Sequence, residues 1–425
     1  MITGPEGRGS LVILANFVSP LAADLREEQI LRQWSEQAPR KLWLTRPGDV
    51  LISPVPLSDP FRRYVFHRLG IPDGSVTIVV VPDTPHVPMP EALAGHGLLE
   101  PLRALVGERP TARLLPTALD DAAVALAADL RIPVLPYEAG APSAATLRAV
   151  AGMNTKSGFR TVARSLGLRL PRGRSCTGAE LGRATGALLD AHERVVVKPD
   201  HSAGGHGLRF VTRSERSPAQ PPPPPDSHWV VEEYVDHTAA VSAQGHISAG
   251  RVEVTYDGEM RMSGGSFAGY RSPLAGLSGP ACGELTAWTR ALGRKLALDG
   301  YRGAYSLDAL SAHDGTLYAL ECNVRRTATT TAHALVSRLT GAGRPMPAWA
   351  TGTAVAAAPL SFDAAVARLT GAGLDFRPGD AEGVLLYTDR PSGGSGWRYT
   401  ALATDHARLT ELEAGLASAL GRKDL

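Results

Sequence analysis

The stretch "DALSAHDGTLYALECNVRRTATTT", residues 308–331, sets two carboxylates, an amide and two guanidiniums into a segment that otherwise has the apolar, β-prone texture of buried strand. Asp314-Gly315 between two such runs is a hairpin signal. With those two residues as the loop, His313 faces Thr316, Asp308 lies opposite Glu321, and Ser306 lies opposite Asn323. Side chains alternate along a strand, so these four share one face. Like charges at directly opposed positions repel. The pattern makes sense with cations between them, and an all-oxygen ligand set suits Mg²⁺ or Mn²⁺ better than zinc. The competing reading is a solvated hairpin face carrying two acids. The register is sensitive: one more loop residue would move Asp308 off the Glu321 face. If the strand continues, Arg325 stays in phase with 321 and 323, while Cys322 and Arg326 take the other face, Cys322 as a small core residue. Arginine is the donor suited to carboxylate and phosphate oxygens.

The bulk properties exclude several classes. A chain of 425 residues suggests two to three domains, at about 150 residues each. Lys plus Arg is 44 against 42 Asp plus Glu, a formal charge of +2, so nothing demands nucleic acid or an anionic membrane as partner. Cys176, Cys282 and Cys322 form no CxxC pair, which argues against a disulfide scaffold or zinc finger and fits a reducing cytoplasm. "SLVILANFV" near the start is too short to span a bilayer and lacks a basic leader, so it reads as a first β-strand and not as a signal peptide.

Residues 1–150 alternate strands with helices: "SLVILANFV", the helical "LAADLREEQILRQWSEQ", then "KLWLT" and "VTIVVVP" as strands and "DLRIPVLPY" as an αβ step. "VTIVVVP" is apolar on both faces, as a parallel strand between helices would be. This is α/β architecture with a parallel sheet, and it contains no complete GxGxxG. From about 151 the texture changes. "MNTKSGFRTVARSLGLRLPRG" is a polar start, a helix and a Gly/Pro stop, and "ERVVVKPDHSAGGHGLRFV" is strand, Gly-rich turn, strand. "SPAQPPPPPDS", 217–227, is a stiff extended loop, and "HWVVEEYVD" is a strand ending in acids. "GRVEVTYDGEMRMSGG" reads as a second Asp-Gly hairpin at Asp257 and Gly258, and "CGELTAWTRALGRKLAL" as a helix. Residues 341–425 hold a strand ("GVLLYTD"), a Gly-rich loop and an amphipathic helix ("ARLTELEAGLASAL"), and read as a small closing module.

Lys198 ends a strand, and Gly204, Gly205 and Gly207 follow within ten residues. A strand-terminal lysine can reach a phosphate, and glycines let backbone amides approach its oxygens. No P-loop motif is present, and such a turn alone is also an ordinary hairpin turn. Lys156 precedes a helix and, alone, is equally a solvated first-turn lysine. Glu232, Glu233, Tyr234 and Val235 end a strand; main-chain groups there can pair with an adenine edge and a carboxylate can accept from its amino group, or the segment is a plain exposed strand end.

The order of these parts resembles the ATP-grasp superfamily over roughly residues 151–335. The resemblance implies an ATP-grasp core of two α+β subdomains over 151–340, with a lid subdomain at about 156–232, an N-terminal α/β pre-ATP-grasp-like domain over 1–150 and the 341–425 module closing on the site. It implies ATP between the subdomains, Lys156 and Lys198 on its phosphates, "SAGGHG" as the loop over them and "EEYV" as the adenine hinge. It further implies Asp308, Glu321 and Asn323 as ligands of a pair of Mg²⁺ ions, and Arg325 steadying charge on the acyl centre. Within the superfamily, "ECNVRRTATTT" and the flanking domains look like the peptide ligase of pheganomycin biosynthesis and its bacterial relatives. That implies joining an amino acid or N-capped amino acid to a peptide amine, in a homodimer. Two departures stand out. Asp236 is the one acid past the hinge for the ribose, and Ser306 stands where some members carry an arginine, which places more of the oxyanion role on Arg325 and Arg326.

The activity expected is an ADP-forming carboxylate–amine ligase working through an acylphosphate, with a small carboxylic acid and an amino acid or peptide as substrates. Arg271 in "GYRSPLAG" is a candidate anchor for a substrate carboxylate, or else a surface-loop arginine. Rival readings are an ATP-grasp kinase or carboxylase and a non-catalytic ATP-binding regulatory module. No carrier segment for a carboxylase is visible, and the intact Asp, Glu, Asn and Arg set speaks against the regulatory module.

Overall fold

The computed structural model of the chain describes residues 9–22, 28–82, 87–137, 140–202, 204–215, 223–249, 251–341 and 345–421. Residues 23–27 of the first expected helix, Ala203 of the Gly-rich run and 217–222 of the Pro-rich loop lie outside these.

In the N-terminal part, β1 (Leu11–Leu14), β2 (Val50–Ser53), β3 (Thr77–Val80) and β4 (Arg113–Pro116) form a parallel sheet in the order β3-β2-β1-β4. Every residue of β1 and β2 is buried, as strands covered on both faces must be. β3 differs from its reading. Its apolar run lies at the sheet edge, and Val80 is exposed. "KLWLT" is not a strand: Ala38–Leu44 is a fully buried 3₁₀ helix with Pro39 in its first turn, and the Trp43 indole donates to the Tyr387 carbonyl at 3.0 Å. "DLRIPVLPY" reaches the sheet through a single parallel bridge, Leu114 to Val134, because Pro133 and Pro136 supply no N–H.

A second, antiparallel sheet joins β5 (Gly173–Thr177), β6 (Arg194–Pro199), β7 (Arg209–Thr212) and β8 (His228–Glu233) in the order β5-β8-β6-β7. The Leu181–Ala191 helix covers it and gives it a core of its own, built on Leu181, Leu189, Val195, Val197, Trp229 and Val231. The remaining strands are β9 (His237–Ser248), β10 (Arg251–Ser263), β11 (Ser266–Ser272), β12 (Gly303–Ala312), β13 (Leu317–Asn323), β14 (Ala348–Val355), β15 (Gly383–Leu386) and β16 (Gly396–Ala403). They make one antiparallel sheet in the order β13-β12-β9-β10-β11-β14-β16-β15. The C-terminal segment thus extends the central sheet by three strands.

The expected hairpin at Asp257-Gly258 is absent, because β10 runs straight through it. Asp257 accepts from the Leu274 amide at 2.9 Å, and Gly258 is needed for packing: a Cβ there would meet the Arg271 carbonyl at 2.3 Å and the Tyr270 ring at 2.6 Å. The turn comes later, at Gly264 and Gly265, whose φ of +58° and +84° suit the left-handed two-residue turn between twisted strands. One continuous core joins the N-terminal part, the large sheet and the C-terminal part. The buried Arg68–Asp375 ion pair at 2.5 Å and the Ser58–Asp389 hydrogen bond at 2.8 Å cross the same junction.

Candidate active site

The β12–β13 hairpin reaches the expected pairing by an unexpected route. Its loop holds three residues, His313 to Gly315, with the Ala312 amide donating to the Thr316 carbonyl, so His313 does not face Thr316. The ladder then runs Ser311 to Leu317, Leu310 to Tyr318 and Ala309 to Ala319, one residue out of the register a two-residue loop would give. A β-bulge next to Ala309 leaves Leu320 unpaired and restores the count. Asp308 lies opposite Glu321, and Ser306 opposite Asn323.

β9 supplies the third rung. Ser242 sits beside Asp308 and Gln244 beside Ser306. The Ser242 hydroxyl donates to Asp308 Oδ1 at 2.6 Å, the Gln244 amide donates to Ser242 Oγ at 2.8 Å, and the Asn323 amide donates to Asp308 Oδ2 at 3.1 Å. Burial pushes the Asp308 carboxyl up, and the facing Glu321 carboxylate adds to that. Two facing carboxylates, one of them buried, and an amide whose oxygen half a rotation would present make a hard-oxygen donor set. Their mutual repulsion is relieved by a divalent cation, so these residues fit Mg²⁺.

Cations of the chain already approach from one side. Lys156 opens the Lys156–Ser165 helix, capped by the Thr155 hydroxyl. Its Nζ donates to the Ser202 carbonyl and hydroxyl, each at 3.0 Å, and stands 3.6 Å from Glu321 Oε2. Burial pulls the Lys156 ammonium down, and Glu321 opposes that. Arg325 donates to Asn154 Oδ1 at 2.5 Å and to the Leu21 carbonyl at 3.3 Å, and its charge is felt by Asp308. Arg326 turns the other way. Its amide donates to the Thr117 carbonyl, and its guanidinium acts on Lys41, His246 and Tyr256.

Lys198, the last residue but one of β6, is ion-paired with Glu232, which also pairs with Arg160; Arg160 and Glu232 are each 2 % exposed. Glu232 therefore points inward to hold the lysine, while Glu233 accepts from the Arg172 amide at 2.7 Å and faces His192 Nδ1 at 3.3 Å. Tyr234 lies beside Phe210, and the Arg194 guanidinium covers both rings. The Val235 carbonyl meets His237 Nδ1 at 2.9 Å. Gly204, Gly205 and Gly207 all have left-handed φ, and the loop rests on the β10–β11 turn, where a Cβ on Gly205 would come within 2.0 Å of the Gly265 carbonyl. Asp236 is exposed, 3.4 Å from His313. Arg271 lies on β11 with its guanidinium on Glu413, at 2.9 Å, and on Thr410, at 3.2 Å, so its charge is answered by the C-terminal helix His406–Ala419.

The family model described as the Pre ATP-grasp domain matches residues 38–132, and the PGM1 C-terminal domain matches residues 364–416. Among solved structures, N5-carboxyaminoimidazole ribonucleotide synthetase from Thermus thermophilus superposes with a TM-score of 0.60 at 16% identity, covering 98% of this chain and 99% of that one. Biotin carboxylase from Campylobacter jejuni gives 0.58 at 14%, covering 98% and 96%. Glycinamide-RNase-transformylase T from Mycobacterium tuberculosis gives 0.55 at 17%, covering 97% and 100%. The fold is that of the ATP-grasp enzymes. No curated protein sequence matches the chain.

Several residues of this candidate site escaped sequence reasoning. Ser242 and Gln244 had a signal, the polar alternation in "AAVSAQG". Asn154, which fixes both the Val324 amide and Arg325, and Asp200, which holds the Ser157 amide at 2.6 Å, had none, because each acts across more than 40 residues of chain.

Proposed function

We propose that the protein is an ADP-forming ligase that joins a carboxylic acid, an amino acid or N-modified amino acid, to the amine of an amino acid or peptide through an acylphosphate. The observation that carries this is the carboxylate pair Asp308–Glu321, with Asn323 beside it, Lys156 3.6 Å from Glu321 and the Arg325 charge acting on Asp308. In this reading ATP lies between the small sheet and the large one. Lys156 and Lys198 hold phosphate oxygens, the 204–207 loop covers them, and the 233–235 main chain takes the adenine. Asp308, Glu321 and Asn323 would hold Mg²⁺, which neutralises charge as the β–γ bridging oxygen departs.

The acid's carboxylate attacks the γ-phosphorus, forming an acylphosphate and releasing ADP. The amine then attacks the acyl carbon, and phosphate leaves. Arg325, held by Asn154, would stabilise the oxyanion of that second step. The loop excludes water, which would otherwise hydrolyse the acylphosphate. The dominant tasks are positioning and charge neutralisation.

A second reading is a carboxylase using bicarbonate as the acid. It is favoured by the carboxylating enzymes among the structural neighbours, whose likeness is one of fold. An ADP-release screen of acids crossed with amines and short peptides, bicarbonate included, decides. The expected result is ADP release that needs both an organic acid and an amine. ADP release on bicarbonate would favour the carboxylase, and ATP binding without turnover on any pair would overturn both enzymatic readings.

A further inference from the structure

A second cleft opens where the N-terminal part, the large sheet and the C-terminal strands meet. Its walls include Arg40, Gly269, Ala328, Thr351, Tyr387 and Arg398, and its cavity proper is about 20 Å³, room for little more than one small polar head group. Two guanidiniums in so small a space need an explanation. Arg40 is 4 % exposed. It donates to the neutral Gln37 amide at 2.8 Å and lies 4.6 Å from the Phe17 ring centre, yet its Nε has no hydrogen-bond partner among the described residues. Behind it Lys41, 1 % exposed, is held only by a hydroxyl, Thr331 Oγ1 at 3.0 Å, among the hydrogen bonds of the described residues. Arg326 adds a further positive charge that acts on Lys41, while the Glu36 carboxylate acts on Arg398. A buried guanidinium such as that of Arg40, with no carboxylate bonded to it among the described residues, is costly until an anion arrives.

The cleft is also placed for use. Ala328 begins the Ala328–Thr340 helix, whose positive end faces this cleft, and it stands three residues after Arg325. Three peptide units span at most about 11 Å, the reach of roughly one to three extended residues.

We propose that this cleft binds the free carboxylate of the amine co-substrate, an amino acid or short peptide, between Arg40 and Arg398. This rests on the ligase reading above and deepens it. Held there, the co-substrate directs its amine back toward Arg325 and keeps its own carboxylate away from the ATP phosphates, so only the other acid is activated.

Binding is tested without turnover. A panel of dipeptides and their C-terminal amides is titrated into the full chain by ligand-observed NMR, with inorganic phosphate as a separate probe. Free acids should bind about ten- to hundredfold more tightly than the amides, the worth of a charge-assisted bidentate contact. Arg398→Gln should erase that difference, and Arg398→Lys should keep part of it. Unchanged thermal unfolding of both variants separates lost recognition from lost fold. Equal binding of acids and amides, absence of binding by either set, an unaltered difference in Arg398→Gln, or preference for phosphate over every dipeptide would each overturn the assignment. A chain that binds the acids in this way but never releases ADP would overturn the ligase reading and leave the carboxylate site standing.

Discussion

Asp308 shows how one residue can carry two demands. It is buried against Ser242 and Asn323, and it faces a second carboxylate, so its charge is tolerable only with a cation nearby. Lys156 and Arg325 supply part of that charge in this structure, and the proposed metal supplies the rest. Glu321→Gln and Asn323→Ala should each abolish ATP turnover while circular dichroism and thermal unfolding show an intact fold, because so small a donor set has no spare ligand. Near-normal turnover in both variants would sink the metal reading. Arg325→Ala should separate the two chemical steps. The oxyanion it serves exists only in the second, so amide formation should fall about 10²- to 10³-fold while ADP release persists, giving uncoupled phosphate release. Equal loss of ADP and amide would assign Arg325 to phosphoryl transfer instead.

At the level of the element, Gly258 and Gly315 carry opposite lessons, although both follow an aspartate. Gly315, with φ of +82°, sits in the hairpin loop, while Gly258 sits mid-strand because the Tyr270 ring and the Arg271 carbonyl occupy the place of a side chain. Gly258→Ala should therefore destabilise the large sheet by about 1–3 kcal/mol, as overpacking does, and thermal unfolding against the wild type measures it. The facing of Asp308 and Glu321 was read from a two-residue Asp314-Gly315 loop, and it holds only because the extra loop residue and the bulge cancel. That compensation was not legible in the sequence: no residue in "LYALEC" announces a bulge at Leu320, and the loop is one residue longer than Asp-Gly alone suggests. The same Asp-Gly signal failed at 257–258 because the packing that overrides it comes from the next strand. "KLWLT" failed for a related reason, since Trp43 is drawn to a carbonyl 344 residues away. The two lysines were singled out from their strand-end and helix-start positions, whereas the Arg160–Glu232 pair that holds Lys198 needed the folded sheet to be seen.

Across the whole molecule, the N-terminal part, the large sheet and the C-terminal strands share one core, and the small sheet has its own; under the proposed function the small sheet is the part that would move over the ATP phosphates. The C-terminal helix is fastened by Glu413, which accepts from Arg261 at 2.5 and 2.6 Å, from Arg271 at 2.9 Å and from the Tyr399 hydroxyl at 2.5 Å. Burial pushes the Glu413 carboxyl up, but the Arg261, Tyr399 and Arg271 contacts outweigh it and hold the group below its ordinary value. A depressed folded value means that this stabilisation is complete above the unfolded carboxylate value near pH 4.3 and is lost as pH falls through the folded one. Glu413→Gln should lower stability by about 1–3 kcal/mol at pH 7, and the gap to the wild type should close only below about pH 4; a gap that closes already near pH 6 would contradict the tether. The proposed chemistry requires all parts at once: lysines and lid on the triphosphate, the β12–β13 hairpin at its terminal phosphate, and Arg325 at the acyl carbon. It is tested most directly by following oxygen from an acid labelled with ¹⁸O in its carboxylate, using an acid–amine pair that supports turnover. Transfer of one label to inorganic phosphate, in step with ADP and amide, is the predicted result; label in AMP, or in no phosphorus product while amide forms, would contradict it.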